Sequence, residues 1–250
     1  MIIIKTPAEI EIMKRGGKIL SRVFDVVKET IVIGMNAEAL DTIVRNVILG
    51  YDAEPSFLGY RGYRHSTCIS KNEEIVHGIP YADKIFLPGD IVSVDIGVYY
   101  QGFHVDCART FMMEPVAPDV EKLVRVTQES FFEILPVAKA GNRLGDISSA
   151  IQTCVEKNGL TVVKDLYSHG VGRELHEDPL IPNYGKRGKG IVLEAGMTFA
   201  IEPMVNLGTS DILTLPDKWT IITADRKWSA HYENTICIGV DGPEVLTQSN

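Results

Sequence analysis

Ile91 to Phe111, IVSVDIGVYYQGFHVDCARTF, reads as two β-strands turned around Tyr100–Gly102, with Asp95 on the first and Asp106 on the second. Their eleven-residue spacing puts both side chains on one face of the ribbon for any even-length turn. Directly opposed, the two Cβ atoms would stand about 4.5–5.5 Å apart. Carboxylates that close repel unless a positive charge sits between them. Ser93 and Gly97 share the acidic face and are small, which leaves room for a cation, while Val92, Val94, Ile96 and Val98 form a core-facing side. The hairpin therefore points to a metal site holding one ion or more, with two solvated strand acids as the alternative.

The second half of the chain supplies more of the same chemistry. His169 lies in SHGVG, Glu202 in FAIEP and Glu233 in AHYENT. Two Asp, two Glu and one His, with no cysteine, form an oxygen-rich donor set that suits Mn²⁺, Fe²⁺ or Co²⁺ as well as Zn²⁺. The set argues against a structural zinc site. Four carboxylates balance two divalent ions, and burying so many acids without a cation is costly. Two ions about 3.5–4 Å apart can share a water, lower its pKa and polarise a carbonyl.

Helices and turns must bring these distant residues together. Thr6-Pro7-Ala8-Glu9 predicts a capped helix start, and apolar periodicity runs on through Ile12, Ile19, Val23, Phe24 and Val27. Gly16-Gly17 interrupts that helix, as if another backbone packed closely there. A break at Gly34 precedes a second helix over about 37–49. An aromatic, glycine-rich loop over 55–63 then leads to a strand near Cys68–Ser70. The pattern then recurs: Pro118 opens a helix carrying Leu123, Val124, Phe131, Ile134 and Leu135, Gly141 breaks it, and Ile147–Val155 is the next helix. Gly34 and Gly141, like Gly89 and Gly196, are 107 residues apart, and the same offset carries Asp95 onto Glu202. Each half also holds a histidine with proline three later, His77-Gly-Ile-Pro80 and His176-Glu-Asp-Pro179. A degenerate two-fold repeat, roughly 6–111 and 117–240, is the expectation. Its halves would share a sheet with helices on one side and a cleft at the pseudo-axis, in one domain over residues 1–250.

Composition narrows the function classes. With 45% apolar residues and a net charge of −8, the chain reads as a globular protein and not as a DNA or anionic-membrane binder. Lys186–Lys189 (KRGK) is the dense basic stretch and reads as a solvated loop. No apolar run approaches the length of a membrane span, and MIIIK is too short for a signal peptide core. Cys68, Cys107, Cys154 and Cys237 lie far apart without a CxxC pair, which fits a reduced, cytoplasmic setting.

HGIP at 77–80, VDIG around Asp95, HVDCART around Asp106, SHGVGRELHEDP at 168–179, FAIEP to Pro203 and SAHYENT at 229–235 resemble, in order, the type I methionine aminopeptidases. The resemblance runs from TPAEIEIM onward. It implies the α+β pita-bread fold and a dinuclear site with Asp95, Asp106, His169, Glu202 and Glu233 as ligands of Co, Mn, Fe or Zn ions. Glu202 would also shuttle the proton, with His77 and His176 contacting the scissile amide. The substrates implied are peptides and nascent polypeptides with N-terminal methionine and a small second residue. Action as a monomer is expected, with room for a transient ribosome contact. The chain resembles the short bacterial form, with no N-terminal zinc-binding extension expected.

By the same resemblance Phe57, Tyr60, Tyr63, Cys68, His77, Leu175, His176 and Trp219 line the substrate pocket. An apolar, polarizable lining suits a methionine thioether. The sequence departs from its relatives at Phe57, where cysteine is frequent, and at Leu175, where an aromatic is frequent. Asn72 and Ser229 resemble a secondary monovalent-cation site. Two other readings stay open at this level. One is a proline-specific aminopeptidase of the same fold, and the other is a binding protein that has lost catalysis.

Overall fold

The computed structural model describes residues 2–248, so Met1, Ser249 and Asn250 of the expected 1–250 unit lie outside the described residues. The first helix, α1, spans Pro7–Thr30, and a reciprocal cap between Thr6 and Glu9 starts it. Gly17 explains itself against the C-terminal segment, because a Cβ there would lie 1.9 Å from the Leu246 carbonyl oxygen. Helix α2 covers Ala37–Leu49 behind an Asn36 cap. Helix α3, Pro118–Phe132, is shorter than its apolar pattern suggests. Pro136 withholds a backbone donor and disfavours helix before it, so Ile134 and Leu135 sit in the turns that follow. Helix α4 runs Leu144–Lys157, three residues earlier than the pattern because the Asp146 carboxylate accepts from the Arg143 N–H at 2.8 Å.

Strand β1, Thr67–Lys71, lies along one edge of β2, Ile91–Tyr100, and β3, Phe103–Met112, lies along the other. Gln101 and Gly102 both take positive φ (48° and 91°), so a two-residue turn closes the β2–β3 hairpin. That turn fixes the register: Asp95 opposes Ala108, and Asp106 opposes Gly97. The acids share a face but are diagonal neighbours, not the directly opposed pair expected. The widened diagonal leaves a gap between them. On the other face Val92, Val94, Ile96, Val98, Val105 and Cys107 are fully buried in one core with Met13, Leu20 and Val23 of α1 and Leu40 and Val44 of α2.

The second half builds β4, Tyr167–Gly170, and β5, Glu177–Pro182, then β6, Thr198–Ile201, and β7, Met204–Asn206. Strands β8, Ser229–His231, and β9, Asn234–Cys237, complete it. Strand β6 sits between β4 and β9, and β7 pairs with β8. A second core joins α3 and α4 to this half through Leu123, Val126, Ile147, Ile151, Phe199 and Ile236. Backbone geometry recurs at the 107-residue offset: Gly34 N–H donates to Phe86 O at 2.8 Å, and Gly141 N–H to Leu193 O at 2.9 Å. Gly89 and Gly196 take φ of 92° and 90°, values that favour glycine.

The halves meet along the outer edge of β3. Ala108 exchanges backbone hydrogen bonds with Glu233, at 3.0 and 3.4 Å. Thr110 Oγ1 donates to His231 O at 2.8 Å, and Thr235 Oγ1 donates to Asp106 O at 2.9 Å. Among the described residues no helix is long and apolar enough to cross a membrane.

Candidate active site

Asp95 and Asp106 sit mid-strand on the hairpin, whereas His169, Glu202 and Glu233 sit where strands bend or end. Asp95 and Asp106 project from the polar face of the hairpin, and Asp106 Oδ1 accepts the Cys107 N–H at 3.0 Å. His169 stands at the bulge where β4 shifts its register against β5. Its Nδ1 lies 2.8 Å from Gly170 O, a geometry in which Nδ1–H donates and Nε2 is left as an acceptor facing the acids. Glu202 follows β6. Its N–H donates to Ser168 Oγ at 2.9 Å, and its carbonyl accepts from Asn183 Nδ2 at 3.0 Å. Glu233 lies between β8 and β9. Its carbonyl accepts from Arg109 Nη1 at 2.5 Å, while Arg109 Nη2 donates to Asn234 Oδ1 at 2.8 Å. The guanidinium is stacked 4.3 Å over Tyr232, so one side chain stitches the Glu233 segment to the hairpin.

Asp106, His169 and Glu233 each place a donor atom within 4.8 Å of the other two. Glu202 Oε1 is 3.5 Å from His169 Nε2, and Asp95 Oδ1 is buried without a hydrogen-bond partner. Among the described residues no lysine or arginine pairs with any of the four carboxylates. Burial pushes all four up. Asp106 reaches about 7, and Asp95, Glu202 and Glu233 rise well above their usual range, with Asp106 adding repulsion in each case. Without a cation, desolvation and mutual repulsion oppose placing four charges on this cluster. An orphaned carboxylate oxygen, an imidazole nitrogen turned inward and four acids without a lysine or arginine partner fit divalent ions.

Burial lowers His77 and His169 to about 4, and desolvation together with the neighbouring histidines lowers His176, although that residue is exposed, to about 3. His77 takes a positive φ of 57°, a rare conformation for a side-chain-bearing residue. Gly78 follows it because a Cβ there would lie 2.3 Å from Ile69 O. The His176 ring stacks on Tyr60 at 5.2 Å and lies 4.2 Å from the His169 ring.

One cavity of about 200 Å³ is lined by the five expected ligands, by His77 and His176, and by Phe57, Tyr60, Tyr63, Cys68, Leu175 and Trp219. Phe57, Tyr63, Cys68 and Leu175 pack as an apolar cluster with Ile79, and Tyr60 and Trp219 lean on it. Trp219 meets Tyr63 edge-on at 4.9 Å. Cys68 opposes Asp95 in the sheet, which places the apolar wall directly beside the acids. Asn72 and Ser229 lie outside this cavity. The Asn72 carboxamide donates to Asp90 Oδ1 at 2.8 Å and accepts the Ile91 N–H at 3.0 Å, and Asn72 O accepts the Ser229 N–H at 2.9 Å.

Several residues at the site carry no motif of their own. His231 is 1% exposed, its Nε2 lies 3.4 Å from Glu202 Oε2, and it adds a second imidazole beside the acids. Its place two residues before Glu233 in the same AHYEN stretch is the available signal. Arg61, Ile79, Leu166, Tyr167 and Met204 also line or back the cavity. Arg109 and Thr235 act through the junction between halves, which no local pattern reveals.

The metallopeptidase family M24 model matches residues 11–239. The chain belongs to metallopeptidase family M24. M24 relatives include a methionine aminopeptidase of Clostridium perfringens, 49% identical over 99% of both chains. The Escherichia coli methionine aminopeptidase is 42% identical, over 98% of this chain and 94% of its own. Among solved structures, a methionine aminopeptidase from Thermotoga maritima superposes with a TM-score of 0.98 at 47% identity over the whole of both chains. A prolidase from Pyrococcus furiosus shares the fold alone, with a TM-score of 0.81 at 24% identity over 99% of this chain and 66% of its own. The architecture is accordingly the α+β pita-bread fold of M24 peptidases.

Proposed function

We propose that this M24 peptidase removes N-terminal methionine from peptides and nascent proteins, preferring a small second residue. The observation that carries this reading is one cavity that brings the buried Asp106, Glu233 and His169 and the half-buried Asp95 and Glu202 against an apolar, aromatic cluster. The relatives named methionine aminopeptidase along the whole chain support the same activity.

The proposed ligands are Asp95, Asp106, His169, Glu202 and Glu233, and their charge suits two divalent ions from Mn, Fe, Co or Zn. The chemistry supplied by divalent ions at such a site is Lewis acidity, toward a peptide carbonyl and toward water. Glu202 faces both His169 and His231, and burial strengthens it as a base, so its carboxylate form is suited to accept a proton from water and pass it to the leaving amine. His77 and His176, neutral at pH 7, offer N–H donors to the scissile amide and to the oxygen that gains charge. Phe57, Tyr60, Tyr63, Cys68, Leu175 and Trp219 enclose the methionine side chain and exclude water from it. A monovalent cation near Asn72 and Ser229 would draw on backbone oxygens, because the Asn72 side chain is engaged in the turn before β2. The proposal includes one catalytic domain made of two related halves, working as a monomer in the cytoplasm with transient access to the ribosome.

The test is a peptide digest read by mass spectrometry. Chelated protein is resupplied with Mn²⁺ or Co²⁺ and offered Met-Ala, Met-Leu and Ala-Pro peptides, with Glu202→Gln as control. Metal-dependent release of methionine from the Met-Ala peptide, falling about 10²–10⁴-fold in the variant, is the expected result. Cleavage confined to the Ala-Pro peptide would refute the proposed specificity, and no cleavage by metal-loaded protein would refute catalysis.

A further inference from the structure

The turn that carries His176 into the cavity is held from near the start of the chain. Lys5 Nζ forms an ion pair with Glu177 Oε2, and the two side chains are 2% and 4% exposed. The same ammonium donates to Ile3 O at 3.2 Å, and the Lys5 N–H donates to Gly196 O at 2.8 Å, so the lysine is fixed at both its tip and its base. The other Glu177 oxygen, Oε1, accepts the N–H groups of Arg173 at 2.7 Å and Glu174 at 3.3 Å, which closes residues 173–177 into a turn. Gly172 enters that turn flush against the pair. A Cβ there would lie 2.3 Å from Lys5 Cε and 2.8 Å from Glu177 Oε1. The Gly172 carbonyl accepts the His104 N–H at 2.7 Å, and the Arg173 guanidinium pairs with Glu9, the residue that caps α1.

A buried ion pair is a weak source of stability, since desolvating two charges offsets most of their attraction. What this pair does secure is geometry. Between Gly172 and Glu177 the turn presents Leu175, 2% exposed in the cavity wall, and His176, stacked on Tyr60. Among the described residues no hydrogen bond fixes the His176 ring, which is held by stacking on Tyr60 and by the backbone on either side.

We propose that Lys5 and Glu177 are positioning residues for catalysis, their buried pair holding the 172–177 turn so that His176 meets the scissile amide. The inference rests on the reading that His176 contacts the reacting amide, and the experiment separates the two. Lys5→Met alone would leave Glu177 buried and unpaired, so the main variant is Lys5→Met/Glu177→Gln, which removes both charges together. Metal-loaded wild type, this double variant, His176→Ala and the triple variant are compared for kcat and KM on a Met-Ala peptide, with melting temperature and bound metal measured alongside. Expected are a kcat at least about tenfold lower in the double variant, KM within about twofold, and unchanged metal content. In the His176→Ala background the same pair of changes should cost less than about twofold, because the positioned group is already gone. Full multiplicative losses in the triple variant, or an unaltered kcat in the folded double variant, overturn the positioning role while leaving His176 in place. An unaltered kcat in His176→Ala overturns both.

Discussion

Replacing one proposed ligand should stabilise the fold when metal is absent and weaken it when metal is present. Asp106→Asn is the cleanest case. Asp106 is 4% exposed, Oδ1 accepts the Cys107 N–H at 3.0 Å, and an asparagine can keep that bond while offering its amide N–H to Asp95. Burial raises the Asp106 carboxyl from 3.8 to about 7, so the metal-free folded state holds a proton that the unfolded chain releases. For such a raised acid, stability is present below the unfolded value and is lost as pH climbs toward the folded one. Above about pH 7 the wild-type cluster carries a penalty of up to about 4 kcal/mol from this group alone, at about 1.4 kcal/mol per pH unit. Asparagine has no such penalty, and it also removes the repulsion Asp106 exerts on Asp95, Glu202 and Glu233. In chelator at pH 8 the variant should therefore melt higher, by up to about 16 °C at roughly 2–4 °C per kcal/mol for a chain of this size. The advantage should shrink as pH is lowered from 7 toward 4. With Mn²⁺ or Co²⁺ added the order should reverse, since a ligand that binds only the folded state stabilises it in proportion to its affinity. Thermal melts of both proteins across pH, with and without metal, give the answer. A variant less stable than wild type in chelator at pH 8, or an advantage that does not change with pH, would refute the claim that these acids are frustrated without a cation.

Two further substitutions probe how the fold holds the site. Arg109→Lys loses the fork between Glu233 O and Asn234 Oδ1 and the stacking on Tyr232. It should cost about 2–4 kcal/mol in melts and more with metal than without, because Glu233 is loosened; equal losses in both states would show that Arg109 does not position the acid. Gly97→Ala places a Cβ 2.6 Å from Ser56 Cβ and 2.9 Å from Phe57 Cε1. Overpacking of this kind costs about 1–3 kcal/mol and pushes Phe57 into the pocket, so KM for methionyl peptides should rise more than kcat falls; an unchanged KM would place Phe57 outside the substrate pocket.

The functional contrast within the cavity follows from its walls. Asp95, Asp106 and Cys68 project from one sheet face, so the proposed metal chemistry and side-chain recognition would share a boundary only one strand wide. Position 57 puts phenylalanine, and position 175 leucine, on the same apolar cluster.

Much of this protein was legible in the chain itself. The capped start of α1, the extent of α2, the single-faced acids of the hairpin and the second-half His169, Glu202 and Glu233 all follow from short-range rules: cap chemistry, periodicity of 3.6 or 2, and the cost of burying unpaired carboxylates. Recurrence of glycines, acids and HxxP motifs at one offset was visible for the same reason, since each marks a local backbone demand. The tertiary structure alone decided that Asp95 and Asp106 stand diagonally, because a two-residue turn with positive φ at Gln101 and Gly102 sets the register. It alone brought His231 against Glu202, bound Glu233 through Arg109, and packed the C-terminal segment on Gly17. The Lys5–Glu177 pair, 172 residues apart in sequence, belongs to the same class. Such contacts join segments whose local sequence satisfies itself independently, and only the closing of the two halves around one cavity supplies the partner.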